Sequence, residues 1–266
     1  MASGPNVNAN LLETERLIAK AVERGARLVV LPENFAIMGI TEDEKVSVRE
    51  RPGEGPIQEF LSKQAERHGI WLVGGTIPLE ASSAEKILAA SLLFDDRGRQ
   101  VARYDKLHLF DVSIPDSGEE YSESETIEPG DDVVVVDTPL GRLGMAVCYD
   151  LRFPELFRRM IDDGMEVLAV PSAFTAITGK AHWETLLRAR AIENLCYVIA
   201  AGQGGFHLSG RETHGDSMIV DPWGVILERR ARGAGVVSAD VDLEHLHSMR
   251  RNFPSLDHRR LHCGMG

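Results

Sequence analysis

The sequence predicts an α/β protein in which two sheets pack together with helices outside them. Three observations carry this expectation. Seven or more short apolar runs of strand length punctuate the chain, and segments of helical period stand between some of them. Most of these runs end at Gly, Pro or a polar turn. Neither a low-complexity linker nor a short-period repeat interrupts the alternation, so residues 1–266 read as a single domain.

Taken in order, residues 10–24 set Leu11, Leu17, Ile18, Ala21 and Val22 on one helical stripe, and Gly25 is a natural C-terminal stop. Residues 26–31 are short and apolar and meet Pro32, which predicts a buried strand. A second helix is expected over 56–68, with Ile57, Phe60, Leu61 and Ala65 in register and Gly69 closing it. Residues 70–73 read as a strand before Gly74-Gly75, and residues 91–94 and 100–104 as a hairpin around Asp95-Asp96-Arg97-Gly98. Strands are expected at 133–136 and 144–147, flanking a Thr138-Pro139-Leu140-Gly141 turn, and at 167–170, stopping at Pro171. A helix over 182–195 is followed by strands at 196–201, 217–220 and 236–241.

Composition narrows the function classes. The chain has 266 residues, long enough to bury about 70–75% of its unfolded surface without disulfides or a metal. Its 29 Lys and Arg against 41 Asp and Glu leave a formal charge of −12, and no long basic block is present, which argues against nucleic-acid binding. No apolar run is long enough to span a bilayer, and no signal-peptide pattern opens the chain, so a membrane location is not expected. Three cysteines, an odd number, suit a reducing compartment and point to the cytoplasm.

Three strand ends carry candidate chemistry. Leu28–Leu31 runs into Pro32-Glu33-Asn34, and ligands of α/β sheets gather at carboxyl ends of strands; a solvated loop glutamate is the plain alternative for Glu33. Gly144–Val147 runs into Cys148, a tight turn and a helix with Pro154 in its first turn. That elbow presents a thiol, and nearby helix amides are expected to depress its pKa and to supply an oxyanion donor from the Tyr149 N–H. Cys196, inside an apolar strand, reads as a buried small hydrophobe, and Cys263 as a solvated or interface thiol. Tyr104-Asp105-Lys106-Leu107-His108 puts a lysine after a strand, where it either stays charged or serves as a base, unless it is a surface lysine.

Other patterns are weaker. His245 and His247, and the group His258, His262 and Cys263, invite a metal, but HExxH and CxxC are absent and no metal site is expected. Gly202-Gln203-Gly204-Gly205 is not a nucleotide fingerprint, and no G-x-S-x-G elbow exists.

Together, Leu31-Pro32-Glu33, Asp105-Lys106-Leu107-His108-Leu109 and Val147-Cys148-Tyr149-Asp150-Leu151-Arg152-Phe153-Pro154-Glu155 resemble the nitrilase, or carbon–nitrogen hydrolase, superfamily, and the similarity runs over nearly the whole chain. The resemblance implies a four-layer α-β-β-α sandwich, a homodimer and a Glu33–Lys106–Cys148 triad. It puts the family's second glutamate at Glu123, ahead of the Glu128-Pro129-Gly130 turn. It makes Phe174 and Thr178 pocket residues. Relatives begin with a strand ending in Gln-Met, which does not precede Ala2-Ser3-Gly4-Pro5 here, so either the natural chain starts upstream of Met1 or one sheet exposes an edge. Relatives also commonly carry Asn where Ala89 stands, which removes a local hydrogen bond.

The chemistry implied by the resemblance is thioester catalysis. Cys148 attacks an amide carbonyl while Glu33 takes its proton, and Lys106 and the Tyr149 N–H hold the oxyanion. Glu33 then protonates the departing amine or ammonia and activates water, and Glu123 orients Lys106 or the substrate amide. No cofactor is required. The second half, from Pro171-Ser172-Ala173-Phe174 to His214-Gly215-Asp216-Ser217-Met218, resembles the branch acting on deaminated glutathione and on 2-oxoacid ω-amides such as 2-oxoglutaramate. The resemblance therefore implies a small anionic ω-amide as substrate, deaminated glutathione first and 2-oxoglutaramate as the alternative, with Arg152, Arg188 and Arg190 available for its carboxylates. Ion pairs with Glu155, Glu184 or Glu193 are the competing role for these arginines. A thiol redox protein using Cys148 is a remote alternative, which lacks a resolving cysteine nearby in sequence.

Overall fold

The computed structural model describes residues 1–115 and 118–261. Helix α1 (Val7–Glu23) is capped by the Asn6 side chain, which accepts from the Ala9 N–H. It leads to strand β1 (Leu28–Val30), a short helix α2 (Asp43–Ser47) and helix α3 (Pro56–His68). Pro56 begins α3 and Gly69 ends it at φ 60°, the asymmetry expected of Pro and Gly at helix ends. Strands β2 (Trp71–Val73), β3 (Ile77–Glu80), β4 (Ile87–Phe94) and β5 (Gln100–Asp105) follow, then β6 (Asp111–Ser113), β7 (Glu120–Ser122) and β8 (Ile127–Glu128). The second half comprises β9 (Val135–Thr138), β10 (Gly141–Met145), helix α4 (Pro154–Asp162), β11 (Val167–Ser172), helix α5 (Ala176–Asn194) and β12 (Tyr197–Gly202). It closes with β13 (Gly204–Phe206), β14 (Glu212–His214), β15 (Ser217–Val220), β16 (Ile226–Arg230) and helix α6 (Leu243–Asn252).

Two six-stranded sheets result. One runs β1-β2-β4-β3, with β5 and β8 also paired to β4; the other runs β16-β15-β12-β11-β10-β9. Strand alternation decides the layers. Leu72 and Leu92 face α1 and α3, packing with Ile18, Leu61 and Ala65. Their neighbours Val73 and Leu93 turn the other way and join one core with Leu143, Met145 and Val167 of the second sheet. On that sheet's far side Phe157 and Met160 of α4 and Trp183 and Leu187 of α5 complete the fourth layer. The sandwich is thus α-β-β-α, as expected.

Four local expectations need revision. Pro171 does not stop its strand: β11 runs on to Ser172, because past the Met145–Ala169 pair it has a ladder partner only in β12, at Pro171–Ala201 and Ser172–Gly202. Helix α5 begins at Ala176, where the Thr175 side chain accepts from the Thr178 N–H, earlier than the apolar stripe indicates. Residues 236–241 form no strand. Their backbone meets side chains instead: Arg24 donates to the Val236 carbonyl, and Glu228 accepts from the Ser238 N–H. Strands β3, β6, β7, β8, β13, β14 and β16 and helices α2 and α6 were not anticipated. Among the described residues β1 pairs with β2 alone, so the expected free edge is present, facing a groove lined by Leu17, Ala21, Ile199, Val236 and Val241. None of Glu33, Lys106 or Cys148 lines that groove.

Candidate active site

The site lies where strand ends of both sheets meet. Leu31 continues the chain after β1 by donating to the Val73 carbonyl, and Glu33 follows in a tight loop. Two features pin it. Asn34, at φ 56°, donates its N–H to Thr76 Oγ1 at 2.8 Å, and the Gln203 amide donates to the Glu33 carbonyl at 3.2 Å. Gly75 lies so close to the Pro32 carbonyl that a Cβ there would stand 2.1 Å away, so the loop needs glycine at that point. Glu33 is buried, 3% exposed.

Lys106 leaves the end of β5. Its backbone is clamped on both sides: its N–H donates to the Ala89 carbonyl and its carbonyl accepts from Gly130. Ala89 thus serves through its main chain, and its methyl packs with Ile87 and Ile127. The ammonium is fully enclosed. Nζ lies 2.8 Å from Glu33 Oε1, and 3.0 and 2.8 Å from the two Glu123 oxygens. Glu123, in a single 3-10 turn after β7, also accepts the Phe110 N–H at 2.8 Å.

Charge in this cluster follows from burial and pairing. Burial alone pushes the Lys106 amine down, but the carboxylates of Glu123 and Glu33 overrule it and hold its pKa well above the lysine range. Burial likewise pushes Glu123 up, and Lys106 overrules that, leaving its pKa lowered. Of the two states open to Lys106 from sequence, the charged one is therefore favoured.

Cys148 sits at φ 49°, a left-handed conformation rare for a residue with a side chain, at the start of a 3-10 turn over Cys148–Arg152. The expected depression of its pKa is not found. Burial first, then the Glu33 charge and a hydrogen bond to Glu33, push the thiol well above its usual range, against the opposing pull of Lys106 and an Ala173 N–H. Short-range desolvation outweighs the helix amides because the sulfur is enclosed. Tyr149 is next in the turn, where the first amides of a helix lack intrahelical partners.

Glu33, Glu123, Cys148, Tyr149, Phe174 and Thr178 line one small cavity, together with Arg152. Phe174 is braced by the Trp183 ring 5.0 Å away, and Thr178 Oγ1 by Thr175 Oγ1 at 2.9 Å. Arg152 lies over the rings of Phe174 and Tyr149 and meets His182 Nδ1 at 3.1 Å. Arg188 and Arg190 are not brought there. Arg190 donates to the Leu151 carbonyl and Glu193, and Arg188 to the Gly224 carbonyl and pairs with Glu184, the structural role weighed against the binding one. The cavity also holds Arg211, Phe110 and Thr175. No spacing rule singles these out, since they come from three connections that only the fold brings together. Cys196 is buried, its thiol pushed up to about 12 by burial. His262 and Cys263 lie outside the described residues. His247 hydrogen-bonds Glu166, and among the described residues no cluster of His, Cys, Asp or Glu offers a metal three ligands.

Comparison with known proteins agrees with this architecture. The family model for carbon–nitrogen hydrolase matches residues 1–251. The chain is 45% identical over 262 residues to a deaminated glutathione amidase of Synechocystis sp., covering 97% of this chain and 95% of that protein. It is 42% identical over 261 residues to a deaminated glutathione amidase of Yersinia enterocolitica, covering 98% and 91%. The crystal structure of Saccharomyces cerevisiae Nit3, a member of branch 10 of the nitrilase superfamily, superposes with a TM-score of 0.87 at 33% identity, covering 98% of this chain and 93% of that one. The fold and the site thus define an enzyme that hydrolyses carbon–nitrogen bonds. The chain belongs to the carbon–nitrogen hydrolase family.

Proposed function

We propose that the protein is an amidase acting on deaminated glutathione, in which the glutamyl amino group is replaced by a ketone, and that it releases 2-oxoglutarate and cysteinylglycine. The observation that carries this reading is the Lys106 ammonium held between Glu33 and Glu123 beside the buried Cys148 thiol, in a cavity that also holds guanidinium groups. The names of the two bacterial and cyanobacterial relatives support the substrate.

The mechanism follows from the charges. At rest the thiol is protonated, so proton loss accompanies attack: Glu33 takes the proton as the Cys148 sulfur bonds to the amide carbon. The carbonyl oxygen becomes an oxyanion beside Lys106 and the Tyr149 N–H, donors whose individual loss typically costs about 3–4 kcal/mol of barrier. Glu33 returns the proton to the nitrogen as the C–N bond breaks, leaving a thioester. It then deprotonates water, which attacks the thioester carbon, and the thiol is regenerated. Glu123 holds Lys106 in place and charged throughout. No metal or organic cofactor enters these steps.

The 2-oxoglutaramate reading uses the same machinery with ammonia as leaving group. The redox reading is disfavoured, because a thiol kept protonated by burial is a poor reductant of peroxides. The deciding experiment measures 2-oxoglutarate released from deaminated glutathione and from 2-oxoglutaramate side by side, with Cys148→Ala as control. Faster release from the first supports the reading; release chiefly from the second replaces the substrate, and none from either overturns it.

The acidic composition and odd cysteine count support a cytoplasmic location, and no helix among the described residues is long and apolar enough to cross a membrane. A homodimer is supported by an exposed apolar patch: Trp223 (56% exposed) against Phe253, with Val225 and Ile192 nearby.

A further inference from the structure

Arg211 is a second guanidinium at the site, in the connection between β13 and β14. Its Nη2 donates to the Ala173 carbonyl at 2.7 Å, on the residue whose N–H reaches the Cys148 thiol. Its plane lies 5.0 Å over the Tyr121 ring. Its Nε is buried with no hydrogen-bond partner. Among the described residues it forms no ion pair, and neither does Arg152, whereas both cavity carboxylates, Glu33 and Glu123, are already bound to Lys106. Glu42 is close enough to feel the Arg211 charge, but its carboxylate is bonded to Lys45, so Arg211 keeps an open buried donor, a cost that an incoming anion removes.

The two arginines differ in depth. Arg152 shares its hydrogen bond with His182 in a solvent-exposed contact, whereas the Arg211 bond is part-buried and reaches the backbone behind the nucleophile. We infer that Arg211 is the specificity-determining residue for the acyl half of the substrate, its free Nε–H and fork receiving a carboxylate carried on the acyl chain, with Arg152 left at the mouth for a carboxylate on the leaving group. This rests on the amidase reading and deepens it. Deaminated glutathione has one carboxylate on each side of the scissile bond, so it engages both arginines. 2-Oxoglutaramate has only the acyl-side one and engages Arg211 alone. Arg suits the task over Lys because its planar fork meets a carboxylate through two parallel hydrogen bonds.

The test separates binding from turnover. In the Cys148→Ala background, 2-oxoglutarate binding is measured by calorimetry with and without Arg211→Met, and with Arg188→Met as a control outside the cavity. Loss of one partner of a buried charge pair predicts a dissociation constant raised roughly 30-fold or more by Arg211→Met, with Arg211→Lys in between. Arg188→Met leaves it unchanged. In the enzyme with Cys148 intact, the ratio of kcat/KM for 2-oxoglutaramate to that for the uncharged amide of equal chain length collapses in Arg211→Met. Arg152→Met lowers kcat/KM for deaminated glutathione more than for 2-oxoglutaramate. Equal 2-oxoglutarate binding in Arg211→Met and its parent overturns the assignment even if deaminated glutathione is hydrolysed. Arg211-dependent binding without hydrolysis of deaminated glutathione keeps the anion site and overturns the substrate instead.

Discussion

The Tyr104 hydroxyl donates to Asp150 Oδ2 at 2.6 Å, joining the strand that leads to Lys106 to the turn that begins at Cys148. The same carboxylate accepts the Val147 N–H at 2.8 Å, while its other oxygen receives the His108 N–H and lies 2.7 Å from His108 Nδ1. His108 is in turn stacked on Phe153 at 3.7 Å. One buried side chain thus sets the position of the two loops whose groups must meet.

Asp150→Ala removes the acceptor of at least two buried donors, Tyr104 Oη and the Val147 N–H, each costing about 1–3 kcal/mol when left unmade. We expect a loss of roughly 3 kcal/mol in unfolding free energy and a fall in kcat larger than any change in KM. Tyr104→Phe removes this bond and the long one its hydroxyl accepts from the Leu107 N–H, but leaves Asp150 its other donors, so its loss is smaller, about 1–2 kcal/mol. Urea unfolding and steady-state kinetics on both variants check the ordering.

Cys148→Ala is expected to abolish turnover, while Cys196→Ala retains it. Cys196 is sealed in the core, its thiol near the Arg190 carbonyl, and its pKa of about 12 leaves it protonated at working pH. Equal loss of activity in both variants would remove Cys148 from its assigned role.

Glu33→Gln separates thiol ionisation from catalysis. The Glu33 charge is one of the forces that raise the Cys148 pKa, so its removal lowers that pKa and moves the inflection of iodoacetamide alkylation to lower pH. Amide turnover moves the opposite way, falling by about 10²–10⁴-fold as the general base is lost. In the unaltered enzyme, alkylation keeps rising above pH 9, because the thiol ionises above the usual thiol range. Alkylation that levels off near pH 8 would contradict the raised pKa.

Glu123 also predicts an acid limit. Its folded pKa lies below the unfolded value of 4.5, so its ionised form stabilises the native state above that pH, and the contribution is lost as pH falls through the folded pKa. Glu123→Gln is expected to flatten the stability curve below about pH 4.5. At neutral pH it lowers kcat roughly 10²-fold or more, as for a loosened oxyanion donor. A stability curve unchanged below that pH would place the acid sensitivity elsewhere.

Trp223→Glu puts a charge in the centre of the apolar patch beside Phe253. If that face joins two copies, the variant elutes as a monomer where the parent elutes as a dimer, with its melting temperature dependent no longer on concentration.

Much of the fold is legible in local pattern. The period of α3 and its Pro and Gly ends mark its limits from residue 56 to 68, and the strand at 217–220 is bounded by turns on both sides. Residues 236–241 mislead because alternation reports only that a segment suits a strand, whereas a strand also needs a neighbour with a free ladder edge. Helix α5 begins early because its first turns carry Thr175 and Thr178, polar residues committed to capping and to the cavity rather than to the core stripe.

The sequence by itself determined the α/β class and the strand ends at which Glu33, Lys106 and Cys148 stand, because turn chemistry and apolar period are local properties of the chain; Glu123 was legible only through the resemblance. Only the tertiary structure decided that Lys106 stays charged, that the Cys148 thiol stays protonated, and that Arg211 rather than Arg188 or Arg190 shares the cavity with Arg152. Those outcomes depend on desolvation and on which charges lie within a few ångströms, and residues as far apart in the chain as 33, 106, 148 and 211 acquire such neighbours only when two sheets close on one another.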